Sequence, residues 1–132
     1  MLSTFEKILI LRNVSFFRDI CSEDLRLIAE ICDEVAFSAG DILMKENEEG
    51  RELYIIEKGK VRVYHDDQTI DLVPPTYVGE MAILAGGARR ATVEALEDTN
   101  TLMIESGKFR QVILKYPRII FPIVRSIVER LE

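Results

Sequence analysis

The chain has 132 residues, 48% of them hydrophobic, with 17 basic against 23 acidic side chains and a formal net charge of −6. That is the length of one domain with enough apolar material for a core. The acidic balance argues against a general nucleic-acid or anionic-membrane surface, because both draw on spare cationic charge. No apolar run reaches spanning length, and the start lacks a signal-peptide pattern. A disulfide between Cys21 and Cys32 would double back across one helix, so the expectation is a cytoplasmic chain with reduced thiols.

Phe5 to Leu11 is apolar and helix-prone, and Asn13-Val14-Ser15 breaks it. Ser22 reads as an N-cap with Glu23 and Asp24 in the first turn, and Leu25, Ile28, Ala29 and Cys32 recur at helical spacing to about Asp33. From Glu34 the pattern changes to short strands closed by turn residues: Val35–Phe37, Ile42–Met44, Leu53–Ile56, Val61–Tyr64, Ile70–Leu72, Ala91–Ala95 and Thr101–Ile104. Seven or eight short strands at this spacing predict a β-roll or barrel. Helices return after Ser106, read as a second N-cap, with Phe109, Val112 and Ile113 on one face and a stop or kink at Tyr116-Pro117. The last segment carries Ile120, Val124, Ile127 and Leu131 at 4-3-4 spacing, a packing seam that suits a homodimer through residues 117–131. Pro122 within it is either a tolerated first-turn proline or a kink.

The chemistry concentrates in Val78–Ala95, VGEMAILAGGARRATVEA. Glycine lets backbone N–H groups approach a ligand closely, and a helix's first turn points free donors outward at a favourable dipole end. An arginine offers a planar fork to phosphate oxygens, and a carboxylate accepts from sugar hydroxyls. Together these suit one compact anion that also bears hydroxyls.

The spacing resembles the phosphate-binding cassette of cyclic nucleotide-binding domains, F-G-E-L-A-L followed by P-R-x-A-T-V. Val78, Gly79, Glu80, Met81, Ala82 and Ile83 match the first half, and Ala88, Arg89, Arg90, Ala91, Thr92 and Val93 the second. The nine-residue step from Glu80 to Arg89 is that of cyclic-AMP-dependent kinase regulatory subunits. Gly40-Asp41, Gly50, Leu53–Ile56 and Gly59-Lys60-Val61 fall on further family marks, with Asn47 where glycine is usual. Asparagine tolerates positive φ, so that turn is expected to survive.

The resemblance implies an α+β chain: a mostly-β, jelly-roll-like β-roll (double-stranded β-helix) with N-terminal helices (1–33), a roll at 34–105 containing the cassette at 78–93, and C-terminal helices (106–132). It implies ligand contacts from Gly79, Glu80, Met81, Ala82, Arg89, Arg90 and Ala91, with Glu80 on the ribose hydroxyl and Arg89 on the cyclic phosphate. Cyclic AMP is the expected ligand, ahead of cyclic GMP or a cyclic dinucleotide. No other cofactor is implied, and the partner is an effector domain or protein.

Departures from the pattern qualify the ligand rather than the fold. Arg90 stands where the family has a small residue. It lacks the hydroxyl that helps some members hold guanine. It would strengthen phosphate binding, suit a more anionic ligand, close the pocket mouth, or pair with Glu94 or Asp71. Ala88 and Val78 replace the usual proline and phenylalanine, and losing proline frees the loop. Tyr54 and Tyr64 read as core or face residues, and His65 as a turn residue. The acids of Glu46–Glu49 lack the alternation of a calcium loop. Without a Cys/His cluster, a structural zinc site is not expected. The chain contains no G-x-S-x-G, H-E-x-x-H or Walker lysine, so a non-enzyme is expected. A fold that lost its ligand and serves as an interaction module is the alternative; a sensor cut from a longer regulator of the cyclic-AMP receptor type is a third reading. The short last helix leaves the base partly exposed, covered by a partner, or capped by sequence further on. Leu131-Glu132 reads as native sequence or a cloning remnant.

Overall fold

The computed structural model describes residues 1–131, so the reading of Glu132 lies outside the described residues. Its first helix opens on a reciprocal cap: Ser3 Oγ accepts from Glu6 N–H at 3.1 Å, and the Glu6 carboxylate accepts from Ser3 N–H at 3.0 Å. This starts α1 (Thr4–Arg12) before the apolar run that signals it. In α2 (Ser22–Glu30) the cap position is Cys21, with no side-chain cap bond, and Ser22 is the first helical residue. Its hydroxyl instead accepts from Arg12 Nη2 at 2.7 Å, so a contact with α1 displaces the expected N-cap. The helix also ends earlier than its apolar spacing suggests, because Asp33 is already paired with Met103 in a sheet.

Eight strands follow: β1 (Asp33–Phe37), β2 (Ile42–Met44), β3 (Glu52–Lys58), β4 (Val61–His65), β5 (Gln68–Leu72), β6 (Thr76–Val78), β7 (Thr92–Ala95) and β8 (Thr99–Glu105). They form two antiparallel four-stranded sheets, ordered β1-β8-β3-β6 and β2-β7-β4-β5. The short β6, directly after Pro74-Pro75, is not legible in the sequence, where its residues merge with the cassette. Helix α3 (Glu80–Leu84) lies between β6 and β7, and α4 (Ser106–Lys115), a 3₁₀ turn (Pro117–Ile119) and α5 (Ile120–Leu131) close the chain. The cap of α4 is Glu105 rather than Ser106. Its carboxylate accepts from Gly107 N–H at 2.9 Å and Lys108 N–H at 3.1 Å, and those bonds hold it below the usual carboxylate range.

Strand β3 organises the core by burying both faces, which is why Leu53-Tyr54-Ile55-Ile56 reads as an unbroken apolar run rather than an alternation. Leu53 and Ile55 join Phe16, Phe17, Leu25, Ile28, Phe109, Ile119 and Ile123 in the layer between helices and sheet. Tyr54 and Ile56 turn the other way and meet Leu43, Val61, Val78, Val93 and Ala95 between the two sheets. Burial disfavours the charged form of the Tyr54 hydroxyl and raises it above the usual range. Both cysteines are free; Cys32 is buried and donates its thiol to Ile28 O at 3.3 Å.

The seam on the last helix is phased differently from its 4-3-4 reading. Ile119, Ile123 and Ser126 are buried against the core, with Ile127 packed beside them. The exposed apolar stripe is Phe121, Val124, Val128 and Leu131, at 3-4-3 spacing. The 3₁₀ turn sets this phase by delivering Ile119 into the core just before α5 begins. Pro122 lies in the first turn of α5, where its missing N–H would have no helical partner anyway. No helix among the described residues is long and apolar enough to cross a membrane.

Candidate functional site

The site is a cavity of about 460 Å³ on the inner face of the β2-β7-β4-β5 sheet, closed at one end by α3. Its polar end is built around Arg89. Gly50 and Gly79 leave room for the guanidinium: a Cβ at Gly50 would stand 2.7 Å from Nε, and one at Gly79 would stand 2.8 Å from Nη1. Nη2 donates to the Glu52 carbonyl at 2.9 Å, which fixes the direction of the fork. The loop bearing it is clamped by backbone bonds to the 45–50 turn: Arg89 N–H to Glu48 O at 2.7 Å, Asn47 N–H to Arg89 O at 2.9 Å, and Gly50 N–H to Gly87 O at 3.0 Å. Asn47 does adopt φ 72°, so it supports the turn where the family pattern has glycine.

Gly79 at φ 90° turns the chain from β6 into α3. Ala82 N–H folds back to Gly79 O at 3.1 Å within this turn. The N–H groups of Glu80 and Met81 meet no acceptor among the described residues, and they form the open first turn. The Glu80 side chain lines the same cavity.

All seven residues singled out in the sequence, Gly79, Glu80, Met81, Ala82, Arg89, Arg90 and Ala91, border this one cavity. Arg90 pairs with neither acid. Asp71 takes a two-pronged bond from Arg62, at 2.7 and 3.0 Å, and Glu94 accepts from the Tyr64 hydroxyl at 2.6 Å. The Arg62 guanidinium holds the Asp71 carboxyl below its usual range, and the bond to Glu94 raises the Tyr64 hydroxyl. Arg62, Tyr64, Asp71 and Glu94 alternate with inward residues on their strands, so they occupy the outer face of the sheet.

Sequence reasoning missed the apolar wall: Met44, Val63, Ile70, Leu72, Tyr77 and Val93 complete the cavity. The signal was present as period-two alternation, Val61/Val63 facing Leu72/Ile70 across β4 and β5, with no indication of which pairs line a void. Ile70 remains 58% exposed. An anion cradle at one end, a carboxylate beside it and an apolar wall beyond can hold a phosphate, its attached hydroxyls and a flat apolar group in one ligand.

The family described as "Cyclic nucleotide-binding domain" matches residues 34–116. Among curated proteins, the chain is similar to the cAMP-dependent protein kinase type II regulatory subunit of Drosophila melanogaster, 30% identical over 105 residues, covering 79% of this chain and 28% of that protein. It is also 30% identical over 111 residues to cGMP-dependent protein kinase 2 of Homo sapiens, covering 78% of this chain and 15% of that one. The chain thus spans under a third of either relative. Among solved structures, the N-terminal domain of a transcriptional regulator from Streptomyces coelicolor A3(2) superposes with a TM-score of 0.80 at 25% identity, covering 92% of this chain and 89% of that one. A cyclic nucleotide-binding-like protein from Brucella abortus gives 0.70 at 28% identity, covering 81% and 97%. The Thermus thermophilus catabolite activator protein gives 0.76 at 24% identity over 89% and 58%, a likeness of fold. With the family's match running from β1 to the end of α4, this chain belongs to the cyclic nucleotide-binding domain family.

Proposed function

We propose that this chain is the sensor module of a regulatory protein, binding a cyclic nucleotide, cyclic AMP first, and passing occupancy through its last helices to an effector. The observation that carries the reading is the convergence of the Arg89 fork, the open first turn of α3 and the Glu80 carboxylate on one cavity with an apolar far wall. Arg89 and the N–H groups of Glu80 and Met81 would take the cyclic phosphate, Glu80 the ribose hydroxyl, and Val63, Ile70 and Leu72 the base. Named relatives include both a cAMP-dependent and a cGMP-dependent protein. The lack of a hydroxyl at Arg90 favours cyclic AMP. Transmission has a physical route: Arg130 near the end of α5 donates to the hydroxyl of Tyr77 and lies 5.5 Å from its ring centroid, and Tyr77 lines the cavity. Filling the cavity would bias that contact, provided that the ligand binds the two arrangements with different affinity. Calorimetry with cyclic AMP, cyclic GMP and cyclic di-GMP tests the proposal. Binding of cyclic AMP at micromolar concentration, lost in Arg89→Ala, is expected, and silence with all three ligands would sink it.

A second reading, an interaction module that pairs with a second copy, is favoured by the exposed stripe of Phe121, Val124, Val128 and Leu131. Its a/d-like spacing is that of a helix seam. It requires a dimer by sedimentation that Val124→Asp dissociates, and melting that ignores cyclic nucleotides.

A further inference from the structure

We propose that Glu46, His65 and Asp66 form a surface site for a divalent transition-metal cation, zinc being the first to test, beside the Arg90 carbonyl of the cassette. The three residues come from different places: the turn after β2, the last residue of β4 and the turn that follows it. The fold brings one ligand atom from each within 4.8 Å of the others. Sequence spacing hides such a site, because no Cys/His cluster announces it and the set exists only after β2 and β4 take their places on either side of β7.

Two features separate this trio from an ordinary acidic surface. The first is the state of the histidine. His65 Nδ1 lies 2.9 Å from the carbonyl oxygen of Arg90, outside the trio. A carbonyl only accepts, so Nδ1 carries the proton, and Nε2 is the nitrogen turned toward Asp66. A backbone carbonyl on the far ring nitrogen is the usual arrangement behind a metal-bound histidine, since it fixes both tautomer and ring orientation. The second is distance. Nε2 stands 3.5 Å from Asp66 Oδ2. Two ligand atoms on one tetrahedral zinc, each about 2.1 Å from it, lie about 3.4 Å apart. That edge is already set, and the Glu46 carboxylate, free of other side-chain bonds among the described residues, offers the third ligand atom within 4.8 Å of the other two.

One imidazole and two carboxylates are a borderline-to-hard set that suits zinc, nickel or manganese, and exposure leaves further positions to water. The anchoring is firm beneath the side chains: Glu46 N–H donates to Thr92 Oγ1 at 3.0 Å, and His65 is paired with Gln68 across the β4–β5 hairpin. A cation here would fix the His65 ring and, through it, the Arg90 carbonyl, stiffening the 88–92 loop.

The test uses the untagged chain and zinc alone, so it succeeds or fails independently of nucleotide binding. Calorimetry should give one zinc per chain at micromolar concentration, weakened at least about tenfold by His65→Ala and by Glu46→Gln, in keeping with the loss of a first ligand. Cys21→Ala should leave it unchanged, and cobalt substitution should show no thiolate charge-transfer band. Amide exchange at residues 88–92 should slow with zinc in the wild type and not in His65→Ala. Three outcomes would overturn the proposal: no binding below millimolar zinc; binding unchanged in both variants; or calcium bound as tightly as zinc and indifferent to His65→Ala. Both variants are at exposed positions, and matching metal-free melting curves confirm that each is folded.

Discussion

Gly50→Ala is the most discriminating perturbation of the site, because it moves Arg89 without removing its charge. Gly50 is buried and lacks the positive φ that would make a side chain strained in itself. The new Cβ would stand 2.7 Å from Arg89 Nε and 2.8 Å from Cδ. Ordinary contact begins at about 3.5 Å, so the guanidinium must retreat by about 0.7–0.8 Å. The colliding atoms belong to a flexible side chain. Reduced freedom of the unfolded chain offsets part of the strain, by about 0.4–1 kcal/mol, so net stability should stay within about 1 kcal/mol of wild type. Gly79→Ala is the contrast. Its φ of 90° and a Glu52 carbonyl at 2.7 Å leave nothing soft to yield, so it should cost at least about 2 kcal/mol. For binding, a displaced fork loses charge-assisted bonds worth about 1.5–3 kcal/mol, or about 10- to 150-fold in cyclic AMP affinity. Urea melts and calorimetry on both variants, with Arg89→Ala alongside, give the readout. Wild-type affinity in Gly50→Ala beside a dead Arg89→Ala would refute the reasoning, as would equal destabilisation by the two alanines.

Other consequences can be checked with simple assays. Ile123→Ala, at a fully buried position, should cost about 2–5 kcal/mol, and Val124→Ala on the exposed stripe about 0.5 kcal/mol or less; the reverse order in urea melts would mean that α5 is phased as the bare 4-3-4 pattern suggests. Alkylation of the native protein at mildly alkaline pH should label exposed Cys21 and spare Cys32, whose thiol burial pushes up to about 12, with both labelled in denaturant. The buried Asp24 takes bonds of 2.7 and 2.9 Å from Arg118, which hold its carboxyl below its ordinary 3.8. Its contribution is therefore complete above that ordinary value and disappears as pH falls through the lowered folded value. Arg118→Ala should flatten this part of the acid limb in pH-dependent melts, and an unchanged limb would show that the pair is not what titrates.

Local grammar carried much of this protein. The strand-and-turn rhythm from Glu34 announced a β-roll because side-chain alternation and turn residues are properties of a few neighbours. The Gly79–Glu80–Arg89 spacing was readable because β6, α3 and β7 follow one another along the chain, so sequence distance stays close to spatial distance. Caps were less legible. Ser22 and Ser106 are good cap residues in isolation, yet Arg12 claims the hydroxyl of Ser22, and Glu105 supplies a stronger acceptor one residue earlier. Contacts from elsewhere decided the remainder. The phase of α5 came from Ile119 entering the core, the partners of Arg90 from Asp71 and Glu94 being occupied by Arg62 and Tyr64, and the cavity's apolar wall from β4 and β5 facing α3. Charge, period and spacing are short-range facts written in the chain. Which side chain reaches a partner first is a competition among residues as far as 94 positions apart, as Asp24 and Arg118 show, and only the folded arrangement holds it.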